Sequence, residues 1–185
     1  MTLTAESIPG YKAGTWIVDP SHSEVSFSVR HLMISKVRGK FGSFSATILT
    51  GENPADTKIT ASAQVASIDT NDEGRDGHLR TNEFFDAENH PTIEFASTSV
   101  GAVGSDYTVT GNLTVRGVTK QVEFALEFGG FANDLYGNYK MAATVTGEIN
   151  REDFGLSWNA ALETGGVLVG EKVTITIELQ AALQV

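Results

Sequence analysis

The sequence predicts an all-β protein, a closed antiparallel barrel of about eight strands, on three observations. Apolar and polar residues alternate with a period of two in segment after segment, connections between segments are mostly short, and helical periodicity is nearly absent. A meander of this kind folds into a sandwich or closes on itself, and closure is favoured because it leaves no unpaired edge. With 185 residues, 41% hydrophobic and 19% charged, the chain fits one domain over 1–185 with a sizeable core. Residues 1–13 read as an irregular N-terminal extension.

The first clear strand runs from Glu24 to Leu32, with Val25, Phe27 and Val29 on one face and Ser26, Ser28 and Arg30 on the other. Apolar positions are odd at Val37 and Phe41 but even at Phe44, Ala46 and Ile48, so the face flips across Gly42-Ser43 and predicts a bulge or bend. Ile59, Ala61, Ala63 and Val65 restore the odd phase, and the polar run Asp69-Thr70-Asn71-Asp72 ends that strand. From Asp72 to Pro91 the alternation breaks. A short helix around Arg75–Thr81 is predicted there, between the fourth and fifth strands, covering one end. Tyr107, Val109, Gly111, Leu113 and Val115 then alternate up to a turn at Gly117, and Val122, Phe124, Leu126 and Phe128 return as a hairpin. Two long strands close the chain, one carrying Tyr139, Met141, Ala143, Val145 and Ile149, the other Val173, Ile175, Ile177, Leu179 and Leu183.

An eight-stranded barrel is near the size at which side chains either fill the interior or leave room for one ligand. Gly39, Ala61, Ala63, Gly111, Ala143 and Gly147 are inward and small, which predicts open volume; set against ten phenylalanines they could equally complete a filled core. The inward set contains no Asp, Glu, Lys or Arg, so any ligand would be apolar. The predicted lining is Val25, Phe27, Val29, His31, Phe41, Ala63, Val109, Gly111, Leu113, Phe124, Met141, Ala143, Val145 and Ile175.

Composition excludes several function classes. A formal net charge of -10 repels phosphate backbones, so nucleic acid is not an expected partner. No cysteine is present, and the four histidines lack the close pairing of a metal site, so neither a metal nor a cofactor is expected. No apolar run approaches the roughly 20 residues of a spanning helix. The first residues lack the basic and apolar stretches of a secretory signal, which predicts a soluble, cytoplasmic protein.

Five blocks carry a resemblance. They are Trp16-Ile17-Val18-Asp19-Pro20-Ser21-His22-Ser23 leading to Phe27 and His31-Leu32; Val37-Arg38-Gly39-Lys40-Phe41; Arg75-Asp76-Gly77-His78-Leu79-Arg80 with Phe84-Phe85-Asp86 and His90-Pro91-Thr92-Ile93-Glu94-Phe95; the stretch from Gly111 to Lys120; and Asn150-Arg151-Glu152-Asp153-Phe154-Gly155-Leu156. Over nearly its whole length the chain resembles the YceI-like family of bacterial, polyisoprenoid-binding, lipocalin-like proteins. The resemblance implies an elongated eight-stranded barrel whose hydrophobic pore takes a long isoprenoid, an isoprenoid quinone or a similar lipid, and it implies carriage or storage rather than catalysis. Many family members are exported, whereas this N-terminus carries no export signal.

Polar candidates remain to be weighed. His31 continues the inward Val25, Phe27, Val29 row and could meet a lipid head group, or simply bond a backbone carbonyl. Arg38, His78, Phe154 and Trp158 are candidate mouth contacts, and Phe154, Leu156 and Trp158 either form an apolar flap at one opening or equally just seal the core. Arg75, Asp76, His78 and Arg80 look catalytic at first, but no nucleophile accompanies them, and Asp76 with Arg75 or Arg80 is expected to fix a loop. Arg30, Lys36, Arg38 and Lys40 form a basic row opposite the apolar face, read first as plain solvated charges and alternatively as a row for transient contact with an anionic lipid phosphate or membrane surface. Gly165-Gly166-Val167-Leu168-Val169-Gly170 lacks the lysine of a phosphate loop. Two rival readings stay open: a ligand-free structural or partner-binding barrel, and an enzyme with His31 or His78 as general base. A homodimer is also left open.

Overall fold

Eleven strands merge into eight staves in the computed structural model, which describes residues 2–185. Strands β1 (Gly14–Val18) and β2 (Glu24–His31) form one stave broken by a single turn of 3-10 helix at Pro20–His22. Strands β3 (Ser35–Phe41) and β4 (Phe44–Thr50) form the second, bent at Gly42-Ser43 where the apolar phase flips. Strands β5 (Lys58–Gln64) and β6 (Ile68–Asp69) form the third. The remaining staves are β7 (Thr92–Val103), β8 (Asp106–Val115), β9 (Val118–Asn133), β10 (Tyr139–Asn150) and β11 (Val169–Leu183).

All neighbours pair antiparallel, and the ring closes because β11 meets β2 along Val173–Glu178 and then β1 at Ala181–Leu183. The helix, α1 (Glu73–Arg80), is capped by the Asp72 carboxylate, which accepts from the Arg75 amide at 2.9 Å. It therefore lies between the third and fourth staves, not the fourth and fifth. Strand β7 carries no continuous alternation in the sequence, because its register shifts between Ser97 and Ser99.

The up-and-down topology gathers 32–34, 70–91, 116–117 and 151–168 at one end, called the helix end, and both chain termini at the other. One side of the terminal end is packed solid around Trp16. Trp16 is 0% exposed and packs against Phe131 and Tyr139 at ring separations of 5.6 and 5.8 Å, while its indole donates to Thr50 Oγ1 at 2.9 Å. Truncating such a ring costs about 3–5 kcal/mol. The N-terminal extension straps this end: Leu3 is buried, Tyr11 donates to the Gly51 carbonyl at 2.8 Å, and Tyr139 donates to that of Gly10 at 2.7 Å.

Candidate functional site

Inward side chains of a filled barrel would be almost fully buried, yet Val25, Phe27, Val29, Ile59, Phe95, Val173, Ile175 and Ile177 are only half-buried. Empty space is the reason. They border a cavity of about 660 Å³ running from Leu3, Ile8 and Tyr11 at the strapped end to Gly74, His78, Trp158 and Leu168 at the helix end. Exposed Arg30 and Gly74 on its boundary mark where it opens, between the β2–β3 hairpin, α1 and the 158–168 loop. The wall is mostly aliphatic and aromatic, and the charged residues on its boundary, Arg30, Arg75, Glu94 and Arg151, all lie in the half nearer the helix end.

Of the predicted lining, Val25, Phe27, Val29, His31, Phe41, Ala63, Val109, Leu113, Phe124, Met141, Ala143, Val145 and Ile175 all face this cavity. Gly111 does not. A Cβ there would sit 2.5 Å from Phe95 Cζ and 2.6 Å from the Ala96 carbonyl oxygen, so the phenyl ring already occupies the space a side chain would need. Gly39 and Gly147 are covered in the same way by Phe27 and Phe124, at 2.4 and 2.2 Å. Inward glycines here make room for cross-strand rings and not for a ligand. The space comes instead from alanines, notably Ala46 and Ala61, paired across β4 and β5.

The mouth candidates divide. His78 and Trp158 stand on the boundary, their rings edge-on at 4.8 Å, with Phe84 5.1 Å from His78 and Glu83 hydrogen-bonded to the imidazole. Arg38 lies elsewhere, on the outer face of β3 opposite Ser28, as its even position in the alternation requires. Phe154 is 2% exposed and packs on Leu113, Val115 and Leu156 beneath the rim; Gly155, at a φ of 77°, turns the chain back and tucks the ring under. Asp76 accepts from the amide and hydroxyl of Thr70, and Arg75 donates to that same hydroxyl at 2.7 Å, so the loop is fixed through Thr70 rather than by an Asp–Arg pair.

Arg151 was missed as a site residue, although the odd phase of Val145 and Ile149 points it inward. It is 3% exposed. Its guanidinium donates to the carbonyls of Leu156, Trp158, Val169 and Gly170, tying the rim loop to β11. Burial pulls its pKa below the ordinary arginine value, opposed by Glu152 and Glu171, but an arginine stays charged in proteins. Among the described residues no cluster of His, Asp or Glu could hold a metal ion.

A closed up-and-down barrel around an apolar tunnel, strapped at one end and open at the other, has the architecture of the lipocalin-like binding proteins. The YceI-like domain model matches residues 16–181, and the chain belongs to that family. It is 40% identical over 157 residues to a UPF0312 protein of Staphylococcus aureus, an alignment covering 84% of this chain and 90% of that one. A Campylobacter jejuni YCEI protein superposes with a TM-score of 0.71 at 28% identity, covering 84% and 90% of the two chains. A polyisoprenoid binding domain from Saccharophagus degradans superposes with a TM-score of 0.71 at 17% identity, covering 94% of this chain and all of that one. At that identity the second likeness speaks to the fold. No helix among the described residues is long and apolar enough to cross a membrane.

Proposed function

We propose that this chain is a binding protein, not an enzyme, and that it carries or stores one long apolar lipid of the isoprenoid class inside its barrel. The observation that carries the reading is the mostly apolar tunnel of about 660 Å³ with its charged residues confined to the open half. An apolar cavity of about 150 Å³ takes one benzene; scaled by volume, this tunnel takes about 25 carbons, or about five isoprene units. The Saccharophagus degradans domain, named for polyisoprenoid binding, supports the same class of ligand.

Energetics place selectivity in shape. Each buried methylene contributes about 0.8 kcal/mol relative to water, so a chain of that length would approach the practical ceiling on affinity. A lipid drawn from a bilayer loses nearly the same burial it gains. Net capture then rests on packing and tunnel length, with His31, His78 and the rim beside the head group. The test is displacement of an apolar fluorescent dye by prenyl alcohols of graded length. Affinity should rise with length and then level off once the tunnel is filled; no displacement at any length would refute the reading.

A further inference from the structure

The tip of the β2–β3 hairpin combines two costs that nothing in the barrel requires. Leu32 and Met33 occupy the central positions of a tight turn, closed by the Ile34 amide donating to the His31 carbonyl at 3.2 Å, with φ of 55° and 63°. Left-handed φ at both positions is the geometry for which Asn-Gly is the usual choice, and bulky residues adopt it at a cost in strain. Those bulky residues also face water: Leu32, Met33 and Ile34 are 40%, 51% and 83% exposed. The packing next to the tip extends the apolar surface, because Met33 lies against Gly166 and the neighbouring Val167 is 37% exposed.

Charge identifies what this surface meets. Arg30 and Lys36 pair across the hairpin directly behind the tip, with Arg38 and Lys40 following on the same exposed face. Among the described residues none of these four forms a salt bridge. The exposed acids nearby are Glu163 and Glu171, together with Asp69, which pairs opposite Lys40 at the far end of the row, and Asp72, Glu73 and Glu83 around α1 across the opening, so the positive charge is concentrated at the tip itself, on Arg30 and Lys36. In a protein of net charge -10, a local cationic collar around an apolar point suits an anionic, apolar-cored surface better than another copy of this acidic chain. Another exposed apolar turn, Leu135-Tyr136, lies at the strapped end beside Asp134, whose carboxylate already pairs with Lys140 at 3.6 Å.

We propose that Leu32, Met33 and Ile34 insert into the interface of an anionic lipid bilayer while Arg30 and Lys36 contact its phosphates, seating the open rim on the membrane. Val29, Arg30 and His31 border the tunnel immediately behind the tip, so a docked barrel faces the bilayer with its opening. The proposal extends the lipid-binding reading but does not require it, since docking concerns the outside of the barrel.

The experiment is co-sedimentation of protein stripped of lipid with vesicles of phosphatidylcholine alone or mixed with phosphatidylglycerol. Wild type should sediment with the mixed vesicles and lose binding in high salt. Replacing Leu32→Asn, Met33→Gly and Ile34→Ser together should reduce binding at least tenfold, yet leave the melting temperature equal or higher because the turn receives its preferred residues. Arg30→Gln or Lys36→Gln should each cost about fivefold. Failure of wild type to bind mixed vesicles, or undiminished binding by the tip variant, would overturn the proposal. So would a dimer abolished by the tip variant without any vesicle binding. A barrel that docks through its tip but displaces no dye would refute the cargo reading alone.

Discussion

A phenyl ring placed at Ala61 should shorten the chain the barrel accepts without unfolding it. Ala61 lies in β5 opposite Ala46 of β4 and Phe95 of β7, and its methyl group faces the tunnel. The added ring is close in size to the benzene that fills about 150 Å³, which is near a quarter of the tunnel's roughly 660 Å³. About six carbons of ligand, or about one isoprene unit, are displaced. Their full transfer to water would cost about 5 kcal/mol, an upper limit; against a bilayer the loss should still reach at least tenfold, about 1.4 kcal/mol. The ring itself enters empty space, so stability should change by less than about 1 kcal/mol, in either direction. Native mass spectrometry against a series of prenyl alcohols reads the length limit, and thermal melting reads the fold. An unchanged limit in a folded Ala61→Phe protein would mean that ligand does not run past this point. Loss of the fold would mean that the space at Ala61 is smaller than described.

Other perturbations separate packing from cavity. Gly111→Ala should destabilise by about 1–3 kcal/mol, because the new methyl meets a backbone carbonyl that cannot move aside, whereas Gly101→Ala, 3.5 Å from the Thr108 hydroxyl, should be nearly neutral; equal urea midpoints would refute the assignment. Arg151→Met should cost about 3 kcal/mol by leaving rim carbonyls without donors, and hydrogen exchange in 155–170 should quicken; unaltered exchange there would remove Arg151 from its role in ordering the rim. Asp19 accepts from Ser21 and His22 and meets Lys140 at 3.2 Å, and these hold its carboxylate well below the usual range. A carboxylate depressed by folding stabilises above its unfolded value near about 4 and loses that contribution as the pH falls further. The stability gap between wild type and Asp19→Asn should therefore be full at neutral pH and narrow on acidification; a gap independent of pH would contradict it.

How much of this was legible in the sequence depended on phase. Strands with unbroken alternation, such as Tyr107–Val115 and Tyr139–Ile149, declared both their existence and their inward face, and the flip at Gly42-Ser43 foretold the bend between β3 and β4. Thr92–Val103 was illegible as a strand because its bulge near Thr98 shifts the inward set from Ile93 and Phe95 to Val100. The misread glycines expose a deeper limit. A small inward residue signals a void only if nothing leans over it, and whether a phenylalanine on the next stave does so depends on register, which composition does not reveal. Phe154 reads from the sequence as a mouth residue for a similar reason, since the left-handed Gly155 that folds it under the rim acts through tertiary packing. Arg151, by contrast, could have been found by extending the odd phase two residues past Ile149.

The most direct test of the hollow, occupied barrel is mass spectrometry of an organic extract from protein purified natively and never exposed to detergent. A long-chain apolar molecule, released in near one-to-one proportion and absent from an extract of the Ala61→Phe protein or replaced there by a shorter one, is the predicted result. Clean extracts from repeated preparations of wild-type protein, together with failure to take up added isoprenoid, would contradict it.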